Sequence, residues 1–207
     1  MLSLTTSFKM GSPAAYLATG LLVGAPAPAW VKEATVAARQ ALSTSQIQKA
    51  PATGTIEVGF SPNKGAEELV LKVLRSAQSE IKLMAYAFTS ARVTKSLLEA
   101  THRGVRVSVL VDSKSASASK QTQAALSALS TAGAQVRTID VFPIHHDKVI
   151  IIDNQHVQLG SYNYSTAAAT KNSENVLVNW SNPSLAKIYE GHFVNNWALA
   201  QQFTGNY

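Results

Sequence analysis

Four consecutive β-branched residues, Val149-Ile150-Ile151-Ile152, constrain this chain more than any other feature. An unbroken run of this kind reads as a strand buried on both faces, spanning residues 146–152. Asp153-Asn154-Gln155 is turn material, and residues 156–159 resume an extended pattern, so the segment reads as a hairpin. Side chains alternate along a strand, so His146 and Lys148 share a face at its polar entrance. A two-residue turn centred on Asn154-Gln155 would set His146 opposite Asn163 and Lys148 opposite Ser161. A turn centred one residue earlier would set His146 opposite Ser161. Both registers leave all four side chains on one face. The hairpin therefore gathers a nucleophile, a cation, a hydroxyl and an amide, a set able to hold and attack a phosphodiester without a metal.

The pattern H-x-K-x4-D-x6-G-S-x-N, filled here by His146, Lys148, Asp153, Gly160, Ser161 and Asn163, resembles the HKD motif of the phospholipase D superfamily at every fixed position. The wider run 142–180, with Lys171-Asn172-Ser173-Glu174-Asn175, is similar to the small bacterial endonucleases of that superfamily. With Gly59-Phe60-Ser61-Pro62 and Met84-Ala85-Tyr86-Ala87-Phe88, the likeness covers residues 55–200. It implies that His146 attacks phosphorus and forms a phosphohistidine, dividing one hard displacement into two easier ones. Lys148, Ser161 and Asn163 would bind the non-bridging oxygens, donors worth about 3 kcal/mol each when preorganised in a dry site. Glu174 stands where the family has the carboxylate that fixes the histidine tautomer. Asp153 belongs to the motif, yet strand parity turns it away from His146 and gives it a structural role at the turn or in the sheet.

In-line displacement also needs a group to protonate the leaving oxygen. A second H-x-K-x4-D is absent from the sequence, and His102, in Thr101-His102-Arg103-Gly104, sits in a helix-end signature. Larger relatives carry two copies of the motif, so this chain with its one half-site is expected to work as a homodimer, the two-fold axis setting one hairpin against the other.

Around the hairpin, strand patterns (55–60, 81–88, 105–111, 135–139, 147–152, 156–160, 174–180) alternate with helix patterns (64–78, 91–103, 119–132, 183–199). This predicts an α/β fold, a mixed β-sheet sandwiched by helices, with parallel strands early and the catalytic hairpin late. Residues 1–29 read as a signal peptide: one Lys and no acid among the first ten residues, an apolar stretch, then Ala27-Pro28-Ala29 before Trp30. Residues 30–54 read as an N-terminal extension and linker, with a short amphipathic helix at 31–42. Residues 55–207 form the catalytic domain. The absence of cysteine is compatible with an exported, periplasmic or secreted protein whose core holds without disulfides. No second long apolar run follows, so no membrane association is expected after cleavage.

The formal charge is +6, falling to +5 when Lys9 leaves with residues 1–29. A basic chain with a phosphate-directed site points to nucleic acid, DNA or also RNA, as substrate. Ser113-Lys114-Ser115-Ala116-Ser117-Ala118-Ser119-Lys120-Gln121 reads either as a loop lining a substrate groove, with Lys114 and Lys120 on phosphates, or as a solvated loop capping the next helix. No His/Asp grouping has metal-ligand spacing, so neither metal nor cofactor is expected. His145, His156 and His192 read as structural, Trp180, Phe193 and Trp197 as core, Arg103 and Arg106 as surface charges. The sequence thus favours an exported, metal-independent endonuclease of low sequence specificity. Phospholipid hydrolysis and non-catalytic nucleic-acid binding are the alternatives.

Overall fold

The structure, a computed structural model, describes residues 47–205. The expected signal peptide and the helix expected at 31–42 lie outside those residues. The described elements are β1 (Thr55–Phe60), α1 (Ala66–Ser76), β2 (Glu80–Ala85), α2 (Ala91–His102), β3 (Arg106–Asp112), α3 (Ser113–Ala118), α4 (Lys120–Thr131), β4 (Gln135–Ile139), β5 (Lys148–Ile152), β6 (His156–Gly160), α5 (Thr166–Thr170), β7 (Asn175–Trp180), α6 (Pro183–Leu199) and β8 (Gln201–Gln202).

The strands form one mixed sheet in the order β1-β7-β6-β5-β2-β3-β4-β8. Parallel pairing joins β2, β3 and β4, and the catalytic half from β1 to β5 is antiparallel. Two cores lie on its two faces. Leu69, Val70, Val73 and Leu74 of α1, Val93 and Leu97 of α2, and Leu126 and Leu129 of α4 fill one core. Ala186 and Phe193 of α6 fill the other, with Trp197 against it. The β-branched run feeds both: Ile150 and Ile152 enter the first core, Val149 and Ile151 the second. Trp180 is only partly buried, and its indole N–H donates to Glu57 at 2.8 Å.

Three sequence expectations change. The strand expected at 81–88 stops at Ala85, and Phe88 makes an isolated bridge to Tyr164. The loop expected at 113–121 is α3 followed by the start of α4. Asp112 caps α3 by accepting from Ser115 N, and Ser119 caps α4 by accepting from Thr122 N. These two caps turn a Ser/Ala/Lys stretch into helix. The end of the expected linker is fixed rather than free: the Pro51 and Thr53 carbonyls accept from the Asn182 and Asn179 side chains.

The hairpin takes neither expected register. Ile150 pairs with Gln158, Ile151 with Val157 and Ile152 with His156, leaving a three-residue loop. Asp153 and Asn154 adopt left-handed backbone (φ 52 and 54), and Gln155 N donates back to Ile152 O at 2.9 Å. Asp and Asn tolerate that conformation better than other non-glycine residues. Continued regularly, this register would turn Ser161 and Asn163 to the face opposite Lys148. β6 instead ends at Gly160, whose φ of 150 takes the chain out of the pleat. A Cβ there would lie 2.2 Å from Asn175 O, so only glycine lets β6 hug β7 at this point.

Asp153 fastens the turn. Its Oδ2 accepts from Gln78 N at 2.9 Å, and its Oδ1 from Ser79 N, Ser79 Oγ and Glu80 N at 2.9, 2.8 and 2.7 Å. Burial alone would make the carboxyl a weaker acid, but hydrogen bonds from Gln78, Glu80 and Ser79 together hold it below its ordinary 3.8. Asp153→Ala should therefore cost about 3 kcal/mol at pH 7. A depressed folded-state value gives stability that is present above 3.8 and lost as pH falls through the folded value. Urea melts should show the gap between wild type and Asp153→Ala closing below pH 3.8.

Candidate active site

The candidate site forms where β5 begins and β6 ends. The strap leading into β5 is held before it reaches His146: His145 N donates to Asp112 Oδ2 at 2.9 Å, and Lys114 Nζ donates to Pro143 O at 3.3 Å. Lys148, first residue of β5, is buried and donates through Nζ to His146 O at 2.8 Å. Burial pushes the Lys148 ammonium below its ordinary value, and the nearby charges of Asp147 and Glu174 oppose that shift. Glu174 thus lies within electrostatic reach of Lys148.

Tyr86 is a site residue that sequence reasoning missed. Ala85 pairs with Lys148 across β2 and β5, so the next residue of β2 emerges beside the strap. The Tyr86 ring lies 4.9 Å from the His146 ring, and Lys148 Nζ stands 5.6 Å from the Tyr86 centroid. The available signal was an aromatic with a polar tip at the end of a buried strand.

Ser161 and Glu174 are tied together. Ser161 Oγ donates to Glu174 Oε2 at 2.6 Å, Asn172 Nδ2 donates to Oε1 at 3.0 Å, and Asn175 N donates to Ser161 Oγ at 3.1 Å. Among the described residues no hydrogen bond joins Glu174 to His146, so the carboxylate implied as its support holds Ser161 and Asn172 in the single chain. Asn163 lies between Tyr162 and Tyr164, which are fully buried, and its Oδ1 is buried without a hydrogen-bond partner in the protein. Asp153 stands at the opposite end of β5 from this group. Lys114 reaches the strap, whereas Lys120 lines a separate cleft of about 460 Å3 with Ser113, Ser117, Gln123, Thr138 and Gln202. The two lysines therefore sit on consecutive helices and do not share the expected loop.

The other four described histidines have different surroundings. His145 is buried, His156 Nδ1 accepts from Ser181 N, His192 bonds Asp147, and His102 ends α2. Among the described residues no cluster of three or more His, Cys, Asp or Glu is arranged to hold a metal ion.

A family model described as "Cardiolipin synthase, PLD-like domain" matches residues 70–197. The chain belongs to the phospholipase D-like family. It is accordingly a phosphodiesterase of that superfamily. "Phospholipase D" of Rickettsia conorii is 34% identical over 139 residues, covering 67% of this chain and 68% of that protein. "Mitochondrial cardiolipin hydrolase" of Xenopus tropicalis is 30% identical over 129 residues, covering 62% and 59%. The crystal structure of Nuc from Salmonella typhimurium, a phospholipase D family member, superposes with a TM-score of 0.71 at 40% identity, covering 72% of this chain and 97% of that one. The fold of this phospholipase D-like domain is thus shared with Nuc over almost all of the latter's length.

Tyr86 gives a test of the geometry. An aromatic contact and a cation–π contact together are worth about 1.4 kcal/mol. Tyr86→Ala should lower kcat on bis(4-nitrophenyl) phosphate about tenfold, with Tyr86→Phe keeping most of it. Unchanged kcat in the alanine variant would remove Tyr86 from the site.

Proposed function

We propose that this phospholipase D-like protein is an exported, metal-independent endonuclease that cleaves DNA, and also RNA, with low sequence specificity as a homodimer. The observation that carries the reading is the half-site itself. One nucleophile candidate and one cation meet at the mouth of the sheet. In the proposed reaction a ring nitrogen of His146 bonds to phosphorus as the leaving P–O bond breaks. His146 of a second copy gives its proton to the departing alkoxide. It then takes a proton from the water that cleaves the N–P bond, and both imidazoles return to their starting states. Lys148, Ser161 and Asn163 would hold the non-bridging oxygens, and Glu174 would organise Ser161.

An apolar strip supports self-association. Ile56, Val58 and Phe60 on edge strand β1 are 58%, 52% and 52% exposed. They share a sheet face with Leu177, whose partners across the sheet are Val58 and Leu159. Phe60 lies at the site end, where Ser61 N donates to Glu174 O at 3.0 Å. An exposed apolar edge strand is a surface that a protein covers or pairs. The formal charge, +6 for the whole sequence and +5 without Lys9, favours a polyanionic substrate.

The relatives named phospholipase D and cardiolipin hydrolase favour a second reading, attack on a phospholipid headgroup. Among the described residues no helix is long and apolar enough to cross a membrane. Plasmid nicking in excess EDTA, run beside hydrolysis of phosphatidylcholine vesicles, separates the readings. Nicking without lipid turnover is expected; lipid turnover alone selects the second.

The dimer has its own test. Phe60→Asp should sediment as a folded monomer and lose nicking. Equal co-assembly of wild-type and His146→Ala chains should leave about a quarter of the activity, since only one dimer in four then carries both histidines. An active monomer would contradict the proposal.

A further inference from the structure

A second group of ionisable side chains lies against the nucleophile candidate on the other face of the sheet. Asp147, between His146 and Lys148 in sequence, turns toward α6. Its Oδ2 lies 3.0 Å from His192 Nε2 and 3.5 Å from His145 Nδ1. Asn196, one helical turn further along α6, reaches His192 Nε2 at 3.2 Å. Asp112 at the end of β3 accepts from His145 N, Lys148 follows on β5, and Tyr164 and Tyr189 also sense the Asp147 charge. Apart from Lys148, the phosphoryl-transfer chemistry uses none of this group directly.

We infer that Asp147 and His192 form a positioning pair for His146, in which charge on His192 tightens the hold of α6 on the strap. The geometry leaves the strap three anchors around the nucleophile. Asp112 holds the peptide before it, Lys148 Nζ holds its carbonyl, and His192 holds the next side chain. The first two anchors are a carboxylate and an ammonium, whereas the third is an imidazole whose side chain is 49% exposed. Fixing the Asp147 side chain fixes the peptide that it shares with His146, and with it the direction of the attacking ring.

The hydrogen bond that His192 donates to the Asp147 carboxylate raises the imidazole above its ordinary value of 6.5, against the effect of burial. Burial lowers His145 from the same value, so of the two histidines beside Asp147 it is His192 that carries charge first as pH falls. Burial would raise the Asp147 carboxyl, but the His192 hydrogen bond and the charges of His192, His145 and Lys148 outweigh it. The sign follows. The ion pair is complete below 6.5 and is lost as pH rises through the raised His192 value, leaving a neutral hydrogen bond.

Glutamine at position 192 keeps a donor without the charge. With bis(4-nitrophenyl) phosphate and the intact protein, His192→Gln should lower kcat about threefold at acidic pH, a partly exposed ion pair's worth, with KM unchanged. The ratio of wild-type to variant kcat should fall toward one as pH rises through the His192 titration. Asp147→Asn should show the same trend, and the double variant should be no slower than the slower single one. A ratio independent of pH, wild-type kcat in both singles, or losses that multiply in the double variant would overturn the inference. Thermal melts identify a variant that loses activity by failing to fold, and Asp147→Asn, an isosteric change, keeps the test open if His192→Gln does.

Discussion

Burial of β5 on both faces is the constraint on which the rest depends. Val149 and Ile151 are locked into one core and Ile150 and Ile152 into the other, with β2 and β6 on either side. A strand so enclosed cannot slip by one residue without driving every side chain into the wrong layer. The only polar freedom left is at its first residue, where Lys148 emerges with His146 just before it. The far end is fastened by the Asp153 carboxylate to the backbone at the start of β2, so the position of the mouth is set from the opposite end of the strand.

From that geometry the chemistry of a phospholipase D-like site follows in steps. The antiparallel pairing of β5 with β2 carries Tyr86 to the imidazole and the ammonium. The close approach of β6 to β7 at Gly160 brings Ser161 onto Glu174. A cation pushed toward neutrality by burial, as Lys148 is, gains most from an anionic partner that arrives with the substrate. The half-site is thus built to be completed by a phosphate group.

Much of this was legible in the sequence because it rests on short-range regularities. The β-branched run, the turn residues after it and the helix pattern at 64–78 each report one local preference that the tertiary structure keeps. The register was not legible, because a three-residue loop with Asp153 and Asn154 both left-handed differs from a two-residue turn by one position that composition does not mark. Parity pointed Ser161 and Asn163 to the Lys148 face, whereas the chain leaves the pleat at Gly160 and Ser161 meets Glu174. The helix at 113–118 was hidden for a different reason: it rests on the Asp112 cap at its start and on Ser119 N donating to Ala116 O at its end, and has no apolar stripe of its own, Ala116 alone being buried. Tyr86 left only the weak signal of a polar-tipped aromatic at a strand end, and the Asp147–His192 pair none, because each depends on which strand or helix lies alongside, a long-range fact.

The central claim is that His146 is the nucleophile, and a rapid-quench experiment addresses it most directly. A substrate labelled at the scissile phosphorus, mixed with enzyme and quenched in alkali during turnover, should leave acid-labile label on the peptide containing residues 145–148, mapped to His146. Label absent from that peptide at every time point while product accumulates, or found equally in His146→Ala, would contradict the account.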